Sequence, residues 1–149
     1  MKAALLLALR ITTGMLLVIW GFVKIVAGEQ AVRISDNFYG GLLSVEALLP
    51  LLGAAQIALG LMVVAGLFRN ITYILQAVVL VGGALAIWRY ILDPLGLYLL
   101  DAETRQMLFF PSSTVAVASL ILLAFKAEDK FALDALLGGK KVSAQSQAA

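Results

Sequence analysis

The sequence predicts an all-α integral membrane protein, an antiparallel four-helix bundle with both termini in the cytoplasm. Three observations carry that expectation. Hydrophobic residues fill 62% of the 149 positions and charged residues only 13%, against ~25% charge in a soluble domain. The mean hydropathy is +1.01, and the apolar residues lie in long runs rather than in the short alternations of a water-soluble core. Lys and Arg are also unequally divided between the two sets of connections those runs imply.

A helix rising ~1.5 Å per residue needs about 20 apolar residues to cross the hydrocarbon core. The first run covers about residues 4–25, interrupted only by Arg10 and Lys24. A cleaved leader is its alternative reading, with Lys2 as the basic start and Val26-Ala27-Gly28 as the cleavage site. That reading puts Arg10 inside the apolar stretch and leaves three spans. The second run covers about 48–67 and the third about 71–90, and Arg69-Asn70 between them enforces a tight helical hairpin. The fourth, about 109–125, is short, with Pro111 expected in its first turn. Residues 28–44 and 91–108 read as loops, broken by Gly40-Gly41 and by Asp93-Pro94. The transmembrane domain spans residues 1–137 and includes a short interfacial segment after the last helix. Residues 138–149 read as a flexible cytoplasmic tail.

Four spans place the N-terminus, the 69–70 turn and the C-terminal tail on one side. That side holds seven basic residues: Lys2, Arg10, Arg69, Lys126, Lys130, Lys140 and Lys141. The opposite side holds four, Lys24, Arg33, Arg89 and Arg105, with six acids. The excess assigns both termini to the cytoplasm of a cell with a cytoplasmic or inner membrane.

Cysteine and histidine are both absent. The chain therefore supplies no thiolate for an iron–sulfur cluster and no imidazole for haem, zinc or copper, so no metal site is expected. No glycine-rich phosphate loop follows a strand, and the net charge of +2 is too small to suggest nucleic acid.

Polar residues recur on helix faces. Arg10, Gly14, Leu17, Gly21, Lys24 and Gly28 share a stripe on the first span, Gly53, Gln56 and Gly60 share a face on the second, and Thr72, Gln76, Gly83 and Tyr90 do so on the third. Glu46 joins the second face only if that helix runs unbroken through Pro50. Glycines at such spacing let backbones approach closely, and a buried Gln calls for an interhelical partner or a shared cavity. Arg10 and Lys24 each lie near enough to an end of the span to snorkel outward. Lys24, Glu46, Arg89 and Asp93 all fall at the non-cytoplasmic ends of their spans. They read either as a charged ring holding the head of an amphipathic molecule such as a quinone, or as interfacial anchors beside Trp20 and Trp88.

Three stretches resemble the DoxX family of small four-helix membrane proteins. They are Arg10-Ile-Thr-Thr-Gly14 with Trp20-Gly21-Phe-Val-Lys24, then Gln56-Ile-Ala-Leu-Gly60 with Gly66-Leu-Phe-Arg69, and finally Lys130-Phe-Ala-Leu-Asp134. Gln56 stands where relatives often carry Glu, which removes a protonatable group, and Ala132 stands where they carry a small hydroxyl residue. The resemblance implies a membrane subunit of a quinone-linked respiratory oxidoreductase, of the quinol oxidase or thiosulfate:quinone oxidoreductase type. Such a subunit anchors a protein partner that carries the redox cofactors. Lys24 is then the first candidate for the quinone head group, with Glu46, Gln56, Arg89 and Asp93 behind it. A non-redox lipid or small-solute binding or transport protein, and a purely structural assembly subunit, stand as alternatives.

Overall fold

The computed structural model describes residues 1–41 and 45–137, without the side chain of Glu46. The tail expected over 138–149 lies outside the described residues. Helices and turns make up all the described secondary structure. Helix α1 spans Lys2–Val26, α2 Gly28–Phe38, α3 Leu49–Ala65, α4 Arg69–Ala86, α5 Trp88–Leu92 and α6 Pro111–Ala124. Short 3-10 turns, Glu46–Leu48, Met107–Phe109 and Lys126–Glu128, sit at the helix ends. Three segments, Lys2–Val26, Arg69–Ala86 and Met107–Ala124, are long and apolar enough to cross a membrane, and α3 is a shorter apolar helix of 17 residues.

The apolar runs become helices much as their lengths dictate, with three departures. Residues 28–38 were expected as loop and instead form α2, because the polar residues that interrupt its hydropathy are compatible with a helix one face of which packs on α1. The run expected over 71–90 breaks at Ile87, which leaves helical geometry (φ −104°, ψ 24°) while its side chain is buried. Tyr90 therefore belongs to α5 and leaves the α4 stripe. Helix α3 starts at Leu49 with Pro50 in its first turn, where the missing N–H is harmless. Glu46 thus sits in the preceding 3-10 turn rather than on the α3 face. Pro111 opens α6, as its chemistry favours.

Helix α1 lies against α3 and α6, and α4 lies against the same two helices. The α1–α3 seam is built on reciprocal glycines. A Cβ on Gly60 would stand 2.6 Å from the Gly14 carbonyl oxygen, and one on Gly14 would stand 2.9 Å from that of Gly60. Gly21 and Gly53 oppose each other in the same way, each 2.7 Å from the other's carbonyl oxygen. Two pairs seven residues apart on both helices fix an antiparallel register, and no side chain fits between the backbones. The third glycine stripe behaves differently. Around Gly82 and Gly83 on α4 nothing would meet an added Cβ within 4 Å, so Gly83 is no packing contact.

The apolar core gathers Leu6 and Leu17 of α1, Leu59 and Val63 of α3, Tyr73 of α4 and Leu122 of α6. Through Val63 and Tyr73 it reaches the end that holds the α3–α4 turn. There Gly66 adopts a left-handed φ of 71° and closes α3, and Phe68 adopts φ 51°, a region costly for a side chain with a Cβ.

Candidate functional site

Two polar constellations lie at opposite ends of the packed helices. The first surrounds Arg10, which the sequence placed on a packing stripe with its charge reaching outward. It does not reach outward: only 3% of Arg10 is exposed. Its Nη1 donates to both carboxylate oxygens of Asp129, at 3.2 and 3.0 Å, and its Nη2 donates to the Phe131 carbonyl at 3.2 Å. The Tyr73 hydroxyl donates to the same carboxylate at 2.6 Å, and Asp129 is fully buried. A guanidinium this deep is tolerable because a carboxylate is bonded to it and that carboxylate is itself satisfied.

The chain after α6 folds back to deliver these groups. Arg69 donates through Nη1 to the carbonyls of Lys126 and Asp129, at 2.9 and 3.0 Å, and its backbone N–H donates to the Asp134 carboxylate at 2.9 Å. The Asp134 N–H donates in turn to the Gly66 carbonyl. Lys126 donates to the Asn70 side chain at 2.6 Å, and Lys2 pairs with Glu128. Ala132 is wholly buried against Gly66, where a Cβ would fall 2.6 Å from both the Ala132 Cβ and Arg10 Nη1. The start of α1, the α3–α4 turn and residues 126–134 thus meet in one knot. All three stretches that carry the sequence resemblance contribute to it.

The second constellation contains the residues singled out for binding. Lys24 on α1 donates to Gln56 Oε1 on α3 at 2.7 Å in a half-buried position. The Lys24 Cβ lies beside Gly53, so the glycine seam brings the two side chains within reach. Two expected site residues are therefore in direct contact.

The others stand apart. Arg89 is exposed, with its guanidinium 5.6 Å from the ring centre of the adjacent Trp88, and it forms no ion pair with Asp93 among the described residues. The Asp93 carboxylate is buried and turned into its own loop. It accepts from the Leu97 N–H at 2.8 Å and from those of Tyr98, Leu99 and Leu100 at 2.9, 2.7 and 3.0 Å. Among the described residues no ion pair joins Lys24, Arg89 and Asp93, and the Asp93 carboxylate is spent on backbone N–H groups of its own loop. The side chain of Glu46 lies outside the described residues. Gln76 is fully buried, and neither of its amide atoms has a partner, so the interhelical hydrogen bond expected of it is not made. No group of three or more potential metal ligands occurs among the described residues.

Burial pushes the Asp93 carboxyl up, but the four N–H groups outweigh it and hold the group well below the usual carboxylate range. A carboxyl with a depressed folded value contributes stability that is complete above its ordinary value, 3.8, and is lost as pH falls toward the folded value. Protection factors at Leu97–Leu100, taken against each amide's intrinsic exchange rate at the same pH, are therefore expected to be high at neutral pH and to fall as the carboxyl becomes protonated in acid. In Asp93→Asn protection should be low at both, because a neutral amide oxygen is a weaker acceptor. Equal protection in the variant and the parent chain at neutral pH would contradict the role given to Asp93.

Among the described residues the fold is all-helical, with three apolar helices of membrane-crossing length and a polar constellation at each end. No family model matches it, and no curated protein and no solved structure matches it either.

Proposed function

We propose that the chain is a four-pass membrane protein with both termini in the cytosol. Its role is that of a membrane subunit of a quinone-linked respiratory oxidoreductase, anchoring a partner that carries the redox cofactors. Helix α3 is the fourth pass. Its 17 residues reach ~26 Å, slightly less than a ~30 Å hydrocarbon core, and local thinning of the bilayer accommodates the difference. The excess of Lys and Arg at the end holding the knot supports the cytosolic assignment.

The observation that carries the functional reading is the contact between Lys24 and Gln56. An ammonium has three N–H donors and an amide has two. Side by side between α1 and α3, they suit a carbonyl or phenolate oxygen, the polar part of a quinone or quinol. The resemblance to DoxX proteins points to the same ligand class, and a chain without Cys or His fits an anchoring role beside a cofactor-bearing partner.

Trp20 lies one turn from Lys24 on α1, so in a Trp88→Phe background, where it is the single tryptophan, quinone quenching of its fluorescence reports binding near this site. Lys24→Met is expected to weaken ubiquinone binding about tenfold or more, equivalent to ~1.4 kcal/mol. It should leave co-purification with the partner intact. Unchanged quenching by the quinone would refute the assignment of Lys24.

A second reading, a non-redox protein that binds or transports a lipid or small solute, draws on a groove between α1 and α6. The groove measures about 340 Å³ and is lined by Leu9, Ser113, Thr114, Val117, Ala118 and Ile121. Its almost wholly apolar walls suit an acyl chain. Tight lipid retention with no cofactor-bearing partner would favour this reading over the first.

A further inference from the structure

Residues 95–100 carry the sequence Leu-Gly-Leu-Tyr-Leu-Leu and lie between helices, yet their apolar side chains point outward. Leu97 is 74% exposed and Tyr98 67%, and Leu95 and Leu99 are exposed as well. A loose loop would hide such side chains. This one is held in shape: four consecutive backbone N–H groups, from Leu97 to Leu100, close on the buried Asp93 carboxylate. Gly96 turns the chain with a left-handed φ of 68°, and the Tyr98 hydroxyl donates to the Leu92 carbonyl at the end of α5.

These bonds also fix where the knuckle sits. Its backbone is one hydrogen bond from the residue that closes α5, and α5 follows α4 after the single residue Ile87. Trp88 and Leu92 of α5 and Met107 and Leu108 of the turn before α6 are exposed as well. The Tyr90 and Phe109 rings, 5.5 Å apart, join α5 to that turn. Between the two apolar stretches the chain carries Asp101, Glu103 and Arg105, all exposed. A polar segment is thus flanked along the chain by two exposed apolar stretches, the first of them hydrogen-bonded to the end of α5, and Trp88 and Tyr98 are among the exposed residues. That arrangement matches the boundary between headgroups and acyl chains, where aromatic residues with one polar end collect.

We propose that the Leu95–Leu100 knuckle is a lipid anchor, seated in the headgroup–acyl boundary of the leaflet opposite the termini, with Asp93 as its internal keystone. The proposal rests on the membrane-spanning reading above and adds a second type of membrane contact to it.

The absence of cysteine makes single-Cys variants direct probes. In phosphatidylcholine nanodiscs, whose two faces are both open to solvent, Glu103→Cys, Leu97→Cys and Val78→Cys would be reacted with a charged maleimide. Val78 lies on the exposed face of α4. A thiol reacts as its thiolate, which apolar surroundings suppress. The expected result is fast labelling of E103C, with L97C and V78C both slower by roughly tenfold or more. If V78C is protected while L97C reacts as fast as E103C, the anchor is overturned and the spanning reading stands. Fast labelling of all three overturns both. A second measurement separates lipid from protein cover. Tyr98→Trp, in a chain with Trp20→Phe and Trp88→Phe, is expected to lose most of its emission in dibrominated phosphatidylcholine. Protected L97C without bromine quenching would show that a second copy covers the knuckle, and would overturn the proposal.

Discussion

Asp129→Ala is expected to destabilise the chain by about 3–5 kcal/mol, the range found when one partner of a buried ion pair is removed. Arg10 would keep its charge at 3% exposure with only the Phe131 carbonyl left as an acceptor. The Tyr73 hydroxyl would lose its acceptor at the same time. Thermal unfolding in detergent micelles, followed by far-ultraviolet circular dichroism, measures the effect. The pair itself is not the source of a large net gain, so a double variant, Arg10→Met with Asp129→Leu, is expected to recover much of the loss. If the single and double variants are equally destabilised, lost packing at Asp129 accounts for the result and the ion-pair explanation fails. A Asp129→Ala variant with unchanged stability would remove the knot from any structural role.

Gly60→Ala and Gly82→Ala are expected to have opposite signs. The new methyl at residue 60 would lie 2.6 Å from the Gly14 carbonyl oxygen and 2.8 Å from Val18 Cγ2. Backbone is in the way, so the seam must open, at about 1–3 kcal/mol for an overpacked contact. At residue 82 nothing stands within 4 Å, and exchanging glycine for alanine inside a helix stabilises by roughly 0.5–1 kcal/mol. The same pair of unfolding experiments reads both. Destabilisation at both positions would mean that α4 packs against something at Gly82 as α1 packs against α3.

The long helices were legible because their apolar runs exceed any other local signal, and Gly66 and Arg69-Asn70 mark the turn between α3 and α4. The α1–α3 seam was legible too, since glycines seven residues apart on both segments leave a gap that only another backbone fills. Helix α2 was not. Glu29, Arg33 and Asp36 hold its hydropathy down, and the glycines flanking it suggested a connection. The break at Ile87 has no Gly or Pro beside it, so nothing local announces it. Lys24 and Gln56 were named for the same ligand and do touch, because each sits on the glycine face of its helix. Arg89 and Asp93 shared only a depth with them, and depth alone does not bring side chains together.

The knot around Arg10 was missed for a different reason. Asp129 is 119 positions from Arg10 and 56 from Tyr73, and it reads locally as part of a polar stretch, Ala-Glu-Asp-Lys. One signal was available. An arginine inside an apolar run demands a partner, and only Glu128, Asp129 and Asp134 supply carboxylates at that end of the chain. The resemblance marked Arg10, Gly66, Arg69 and Asp134 separately, and the fold shows them meeting.

That separation along the chain has a consequence for biogenesis. Asp129 leaves the ribosome 119 residues after Arg10, roughly 6–24 s later at 5–20 residues per second. Throughout that interval the guanidinium lacks the carboxylate that pairs with it in the fold. The first helix therefore cannot complete its buried contacts until the last one has been made and the chain behind it has folded back.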